Sequence, residues 1–332
     1  MASLFSRRPD LAIDFGTANL RVIRRDEGVV FDEPSLCCFS KENGTPSLVA
    51  AGMGAQAMVD RTSGNLEVKR PLRRGVLQDI DSARELLRYA VPRALGRKRT
   101  GAVRAVFGVP ADATMAERGA LLTAARDAGI GSVRLVAEPF AAAIGAGLPV
   151  GAPTGTMVVE CGAGTTEVAV LSLGGICLTR SVRIGGATLD QAIADYLHFR
   201  HKFLIGDTTA ERVKQDYVEQ RRTRTGAADT IAVKGRSLTS GLPTTIHVDL
   251  SELDTVVERH VAEIVEVTRD VLNKTPPELS QDIHDHGIVL TGGSAVVPLL
   301  RSMIEHATGL RAIAADTPAQ CVPNGLHHML IH

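Results

Sequence analysis

Apolar residues 11–13 run up to Asp14, and the chain breaks at Phe15-Gly16-Thr17-Ala18-Asn19 before a second apolar run at 20–23. That spacing predicts a strand, a glycine turn and a return strand at hairpin distance. Residues 28–39 continue as strand and turn. Between 81 and 95, Leu86, Leu87, Tyr89, Ala90 and Val91 recur at helical spacing. An apolar strand over 102–109 stops at Pro110, and a helix follows over 113–128. A short strand at 133–136 then leads to Glu138-Pro139 and a small-residue helix over 140–146. Pro139 suits the first turn of that helix, where its missing N–H is not needed.

The opening pattern then returns. Residues 156–159 predict a strand, 160–166 a glycine loop and 167–173 a second strand. Ile13-Asp14-Phe15-Gly16-Thr17 and Val159-Glu160-Cys161-Gly162-Ala163 share one grammar: apolar strand, acid, one residue, glycine, small residue. Two copies about half a chain apart indicate duplication at domain scale, not a solenoid period. A third glycine turn, Leu290-Thr291-Gly292-Gly293-Ser294, follows a strand at 287–290 and precedes a helix. The stretch 207–255 is more polar: residues 221–226 predict an exposed turn, and 231–233 and 244–248 two hairpin strands. An amphipathic helix over 253–272 ends at Asn273 and Pro276-Pro277. With no linker or low-complexity tract, the halves share an interface.

Composition removes whole classes of function. The 332 residues carry 37 basic and 37 acidic side chains, which argues against a dedicated nucleic-acid binder. Aromatics are 3% and Trp is absent, so the core is aliphatic and base stacking is disfavoured. No apolar run reaches the roughly 18 residues that span a bilayer, and the start MASLFSRRPD does not read as a secretory signal. Cys37, Cys38, Cys161, Cys177 and Cys321 have no metal-type spacing and read as free thiols of a reducing cytosol.

A strand–glycine–strand hairpin directs backbone N–H groups into one concavity, and its glycines permit close backbone approach. One such loop alone is an ordinary turn; two matched loops and Gly292-Gly293 point to a polyphosphate gripped from both sides. An acid just before each loop, Asp14 and Glu160, suits the waters around a magnesium ion. Glu138 lies between a strand and a helix, where a carboxylate either answers the helix dipole or orients a water toward a terminal phosphate. Glu211 and Lys214 share a helix face, as an ion pair or as contacts to a ribose or base.

With these loops, Glu138-Pro-Phe-Ala-Ala-Ala-Ile-Gly145 and Thr291-Gly-Gly293, the chain resembles the MreB/Mbl family of bacterial actin homologues from about residue 10 to 325. Asp14-Phe-Gly-Thr-Ala-Asn19, Arg61-Thr-Ser-Gly-Asn65, Pro71-Leu-Arg-Arg-Gly-Val76, Ala146-Gly-Leu-Pro149 and Lys274-Thr-Pro-Pro-Glu-Leu279 carry it. The resemblance implies an α/β actin-like ATPase fold of two duplicated ribonuclease-H-like lobes. It puts them at 1–150, with a small subdomain near 33–75, and 151–332, with another near 200–255. It implies ATP or ADP with Mg²⁺ in the cleft. Gly16, Thr17, Ala18 and Asn19 form the first phosphate loop, and Gly162, Ala163, Gly164, Thr165 and Thr166 the second. Gly186, Gly292, Gly293 and Ser294 join the nucleotide site, with Glu211 and Lys214 at the ribose or base. Asp14 and Glu160 hold the metal through water, and Glu138 positions the attacking water. It also implies antiparallel double filaments, cytoplasmic and peripheral at the inner face of the membrane, that work with cell-wall elongation proteins.

Several positions depart from the family pattern. Glu160 replaces an aspartate, Ala163 a glycine and Ala187 an acid. Gln215-Asp-Tyr217-Val218 and Cys321-Val-Pro323-Asn-Gly325 alter two further segments. Together they imply a divergent paralogue in which binding outlasts fast hydrolysis, with a scaffold that copolymerises with a standard MreB as the alternative. A small-molecule kinase on the same fold is disfavoured, because no inserted segment would house a sugar. For the membrane, Leu4 and Phe5 beside Arg7-Arg8, and the loop of Leu95, Arg97, Lys98 and Arg99, are the candidates. Burying each apolar side chain contributes roughly 1.5–3 kcal/mol and each basic residue near anionic lipid about 1 kcal/mol, so repetition along a polymer would be needed.

Overall fold

The computed structural model describes residues 9–41, 46–96, 103–223 and 229–332. Two five-stranded sheets share one topology. The first runs in the order Ile130–Ala137, Val103–Val109, Leu11–Phe15, Asn19–Arg24, Gly28–Pro34. The second runs Ala312–Ala314, Ile288–Thr291, Thr156–Cys161, Thr166–Ser172, Gly175–Val182. In each, the strand that carries the acid is central. It pairs antiparallel with the strand after its glycine turn and parallel with a strand from later in the chain. The duplication legible in the motifs is therefore a duplication of sheets.

Strands 156–161 and 166–172 are buried along their whole length, which is why they read as nearly unbroken apolar runs. The outer face of the first sheet is covered by helix Ile80–Leu95 and by helix Met115–Asp127. Thr114 and Glu117 start the latter with a reciprocal capping box. Helices Gly186–His201 and Leu250–Lys274 cover the second sheet, whose core includes Leu189, Ile193, Leu253, Val257 and Ile264.

Between the sheets lies a third core. Ala12, Ile23 and Val106 from the first sheet and Val158, Ala169 and Leu171 from the second close on helices Glu138–Gly145 and Cys321–Ile331. The helix Cys321–Ile331 packs on strands Leu11–Phe15 and Asn19–Arg24 of the first sheet as well. Each half also carries a small three-stranded sheet: Ser47–Ala51, Cys37–Ser40 and Leu66–Lys69 in the first, Phe203–Leu204, Thr230–Ser237 and Pro243–Asp249 in the second.

Three local readings change. The second loop is shorter than 160–166, because strand pairing continues through Cys161 and resumes at Thr166. Residues 221–223 are helix, not turn, because helix Asp207–Thr223 continues through Arg221, which pairs with Asp254; 224–226 lie outside the described residues. Gly293–Val296 is a 3-10 turn, and the α-helix that follows the third glycine turn begins only at Leu300. All five cysteines are free thiols, four of them buried.

Candidate functional site

The two glycine hairpins have the same closing bond. Gly16 N–H donates to the Asn19 carbonyl at 3.0 Å, and Gly162 N–H to the Thr165 carbonyl at 2.9 Å. They face each other so closely that a Cβ on Gly164 would stand 2.2 Å from Thr17 Oγ1 and 2.4 Å from the Gly75 nitrogen. The approach therefore requires glycine at 164. Gly75, at φ +71° in the turn between Leu72–Arg73 and Val76–Leu77, donates its N–H to Thr17 Oγ1 at 3.0 Å.

A cavity of about 220 Å³ opens beneath the hairpins, lined by Gly16, Thr17, Ala18, Asn19, Gly162, Ala163, Gly164 and Thr165. Asp14, Glu138, Glu160, Gly292 and Gly293 complete its wall. A second cavity of about 610 Å³ shares Thr17, Ala18, Asn19 and Ala163, and extends past Ala187, Asp190, Glu211 and Lys214. The two make one cleft: a narrow end lined by backbone and acids, and a wide end between the Leu66–Lys69 side of the first half and helices Gly186–His201 and Asp207–Thr223 of the second.

Some expected residues support the site from behind it. Thr166 is fully buried, and its hydroxyl donates to the Ile184 carbonyl at 2.9 Å. Strand pairing turns it away from the cleft, so its expected place in the phosphate loop is corrected. Gly186 N–H and Ser294 Oγ–H both donate to the Gly162 carbonyl at 3.0 Å, and Ala187 N–H donates to Ala163. These bonds strap the second loop to the start of helix Gly186–His201. Lys214 does not pair with Glu211: its ammonium bonds Asp190 at 2.9 Å and the Gly186 carbonyl at 3.1 Å. Leu95 is half-buried against the first core. Leu4, Phe5, Arg97, Lys98 and Arg99 lie outside the described residues. Tyr217, in the divergent 215–218 stretch, is fully buried and donates its hydroxyl to Asp254 at 2.7 Å.

The acids divide into two unlike settings. Asp14 stands directly opposite Arg21 across the first hairpin, and Arg21 Nη1 reaches Asp14 Oδ2 at 3.1 Å. Arg21 Nε also donates to Asp32, which accepts from Asn19 Nδ2 at 2.6 Å. Burial raises the Asp14 pKa from its ordinary value, with Arg21 opposing that shift. In the second hairpin the equivalent partner of Glu160 is Glu167. Carboxylate oxygens of Glu138, Glu160 and Glu167 lie within 4.8 Å of one another. Glu167 Oε1 accepts from Ala111 N–H and Ser181 Oγ–H, each at 2.7 Å. Glu160 Oε2 and Glu167 Oε2 are buried without a hydrogen-bond partner among the described residues. Burial, then mutual repulsion, raises Glu138 and Glu160 well above the ordinary range, and burial pushes Glu167 up to about 7.

These orphaned oxygens fit a divalent cation at the second hairpin, since a cation would answer both the crowded charge and the missing partners. Asp14 fits the expected pair less well, because a guanidinium already occupies it. Sequence reading missed Arg21, Glu167 and the Gly75 turn. A signal for the first two existed: a turn over 16–19 sets 14 opposite 21, and a turn over 162–165 sets 160 opposite 167.

Comparison with known proteins agrees with the architecture. A family profile described as MreB/Mbl protein matches residues 8–332. Cell shape-determining protein MreB of Escherichia coli strain K12 is 38% identical over 325 residues, covering 95% of this chain and 91% of that protein. Cell shape-determining protein Mbl of Bacillus subtilis strain 168 is 36% identical over 331 residues, covering 98% and 96%. The crystal structure of MreB5 of Spiroplasma citri bound to ADP superposes with a TM-score of 0.87 at 30% identity, covering 96% of this chain and 94% of that one. The MamK double helical filament superposes at 0.79 with 21% identity over 97% and 98%, a likeness of fold. With two duplicated sheets around one glycine-lined cleft and a profile match over nearly its full length, the chain has the actin-like fold and belongs to the MreB/Mbl family.

Proposed function

We propose that this chain is a nucleotide-binding bacterial actin that assembles into filaments and takes part in determining cell shape. The observation that carries the reading is the pair of matched hairpins, Gly16–Asn19 and Gly162–Thr165, closing on one cavity from two lobes. A polyphosphate in that cavity would join the lobes, which couples nucleotide state to the shape of the molecule. The wide end of the cleft, with Glu211 and Lys214, has room for a nucleoside. MreB5 of Spiroplasma citri is bound to ADP in one structure and AMPPNP in another, which supports an adenine nucleotide here.

Glu160, with Glu138 and Glu167, would hold the divalent cation. When bound, that cation supplies positive charge to the phosphates. Glu138 opens helix Glu138–Gly145 and faces the cavity, so its role is to orient and accept a proton from an attacking water. That role requires the ionised form; in the metal-free protein burial, and then the neighbouring carboxylates, oppose it, and a cation held by the cluster would relieve that opposition. The second reading is a hydrolysis-impaired scaffold that copolymerises with a standard MreB; it holds if the cation fails to relieve this crowding and Glu138 stays protonated.

Membrane attachment at the cytoplasmic face, through residues 1–8 and 97–99, belongs to the proposal, as does work alongside cell-wall elongation proteins. Among the described residues no helix is long and apolar enough to cross a membrane. Sedimentation of the purified chain with ATP, ADP and no nucleotide tests the central claim. Nucleotide-dependent pelleting is expected, and identical behaviour in all three overturns it. Pelleting with anionic liposomes, lost on deleting 1–8 and neutralising Arg97, Lys98 and Arg99, is expected for the membrane part. Unchanged pelleting of that variant sinks it.

A further inference from the structure

The two hairpins are copies, yet their charge is not. At the position across from the acid, the second hairpin presents Glu167 and the first presents Arg21. The second hairpin needs an external cation, while the first carries its own. Arg21 is held rigidly: Nε donates to Asp32 at 3.1 Å, Nη1 donates to Asp14 at 3.1 Å and approaches the Ala319 carbonyl at 3.4 Å. Asn19, in the glycine turn itself, holds Asp32 from the other side. Arg21 lines the narrow end of the cleft beside Gly16, Thr17 and Ala18, and its Nη2 makes no hydrogen bond among the described residues. A guanidinium fixed by two carboxylates, with one nitrogen's donors left over, is prepared for a phosphate oxygen in a way a flexible lysine is not.

Resting on the nucleotide reading above, we propose that Arg21 is a phosphate-binding residue: it takes at the first hairpin the place of a divalent cation, so this chain keeps hold of a nucleoside diphosphate when divalent ions are removed. Asp14 then serves as the anchor of Arg21, not as a second holder of hydrated magnesium. The phosphate meets a permanent charge at one loop and an exchangeable one at the other.

Titration calorimetry with ADP, in Mg²⁺ and in EDTA, tests this on the wild-type chain and on R21L and R21K. The wild type is expected to bind ADP in EDTA within tenfold of its affinity in Mg²⁺. R21L is expected to lose tenfold or more in EDTA and much less in Mg²⁺, because removing the guanidinium frees Asp14 for a hydrated ion. R21K, which keeps the charge without the fork, is expected to lose at least threefold in EDTA, and it decides the matter with the wild-type ratio should R21L fail to fold. A wild-type loss beyond tenfold in EDTA, or an R21L or R21K affinity in EDTA equal to wild type, overturns the role of Arg21 and leaves the nucleotide site standing. No ADP binding by the wild type in either buffer overturns the nucleotide reading itself.

Discussion

Glu160 and Glu167 face each other directly across strands 156–161 and 166–172, each with one buried oxygen that has no hydrogen-bond partner among the described residues. Two carboxylates so placed cannot both ionise cheaply without a cation between them. Their folded pKa values are raised, so the native state binds protons that the unfolded chain has released. By linkage, the stability of the nucleotide-free, metal-free protein falls as pH rises from about 4.5, the ordinary value, through about 7, the raised value of Glu167. Glu160→Gln removes one of the charges. It is expected to raise stability at pH 8 by about 1 kcal/mol or more and to flatten that slope. Chemical denaturation in EDTA across pH 5 to 8.5 measures both, and an unchanged slope contradicts the account. Added Mg²⁺ should stabilise the wild type more than the variant.

Much of this was written in the sequence, but in registers rather than in residue types. The hairpins were legible because an acid and a glycine follow an apolar strand twice, and their turn lengths also set Arg21 and Glu167 opposite the acids. Other elements were hidden because packing overrides local preference. Helix Cys321–Ile331 contains Pro323 and Gly325, two poor helix residues. Pro323 is tolerated in the first turn, where its N–H would go unused. Arg221 sits in a run of Arg and Thr that looks like a turn, yet Asp254 and the ring of Tyr217 hold it in a helix. The positions of Thr166 and Ser294 behind the loop depend on pairing with Ile184 and Gly162, contacts between chain segments that no local pattern encodes.

Helices Glu138–Gly145 and Cys321–Ile331 cross at glycines. A Cβ on Gly325 would stand 1.8 Å from the Ala141 carbonyl oxygen, and one on Gly145 would stand 1.8 Å from that of Cys321. Both obstacles are helix backbone at the centre of the molecule, which cannot give way as a flexible side chain would. Gly325→Ala is expected to cost about 3 kcal/mol or more through forced separation of the helices. Gly119→Ala is the contrast. That glycine lies inside helix Met115–Asp127 with open space around its Cβ position, so alanine there should stabilise by about 0.5–1 kcal/mol. Thermal unfolding of the pair checks the claim, and a mild Gly325→Ala would show that the helices are not locked.

Cleft closure depends on Gly164. A methyl there meets Thr17 Oγ1 and the backbone at Gly75, so it acts between the lobes and leaves either sheet intact. Gly164→Ala is expected to leave the unfolding midpoint within a few degrees of wild type. ADP affinity should fall at least tenfold, because the two loops no longer reach one phosphate chain together. Calorimetry with ADP reads the affinity, and small-angle scattering reads the opening of the lobes. Wild-type affinity in this variant would mean that the closed arrangement is not the one that binds.

His260 supplies a pH dependence of opposite sign. It is buried on helix Leu250–Lys274, and burial, reinforced by the nearby Lys214 ammonium, pushes its pKa down to about 4. Its charged form is disfavoured in the native state, while in the unfolded chain it protonates near 6.5. The neutral histidine's contribution is therefore fully present above pH 6.5 and is lost as pH falls toward 4, by on the order of 3 kcal/mol at the acid end. The glutamate cluster works against it over the same range, gaining protons natively as pH falls. Single variants separate the two. His260→Gln should remove the acid-side loss and leave the fall on the alkaline side, whereas Glu160→Gln should flatten that fall and leave the acid-side loss. Denaturation midpoints at half-unit steps from pH 4 to 8 read both limbs in one series. If His260→Gln tracks wild type below pH 6, the histidine is solvated on a timescale the static packing does not reveal, and its burial does not govern acid stability.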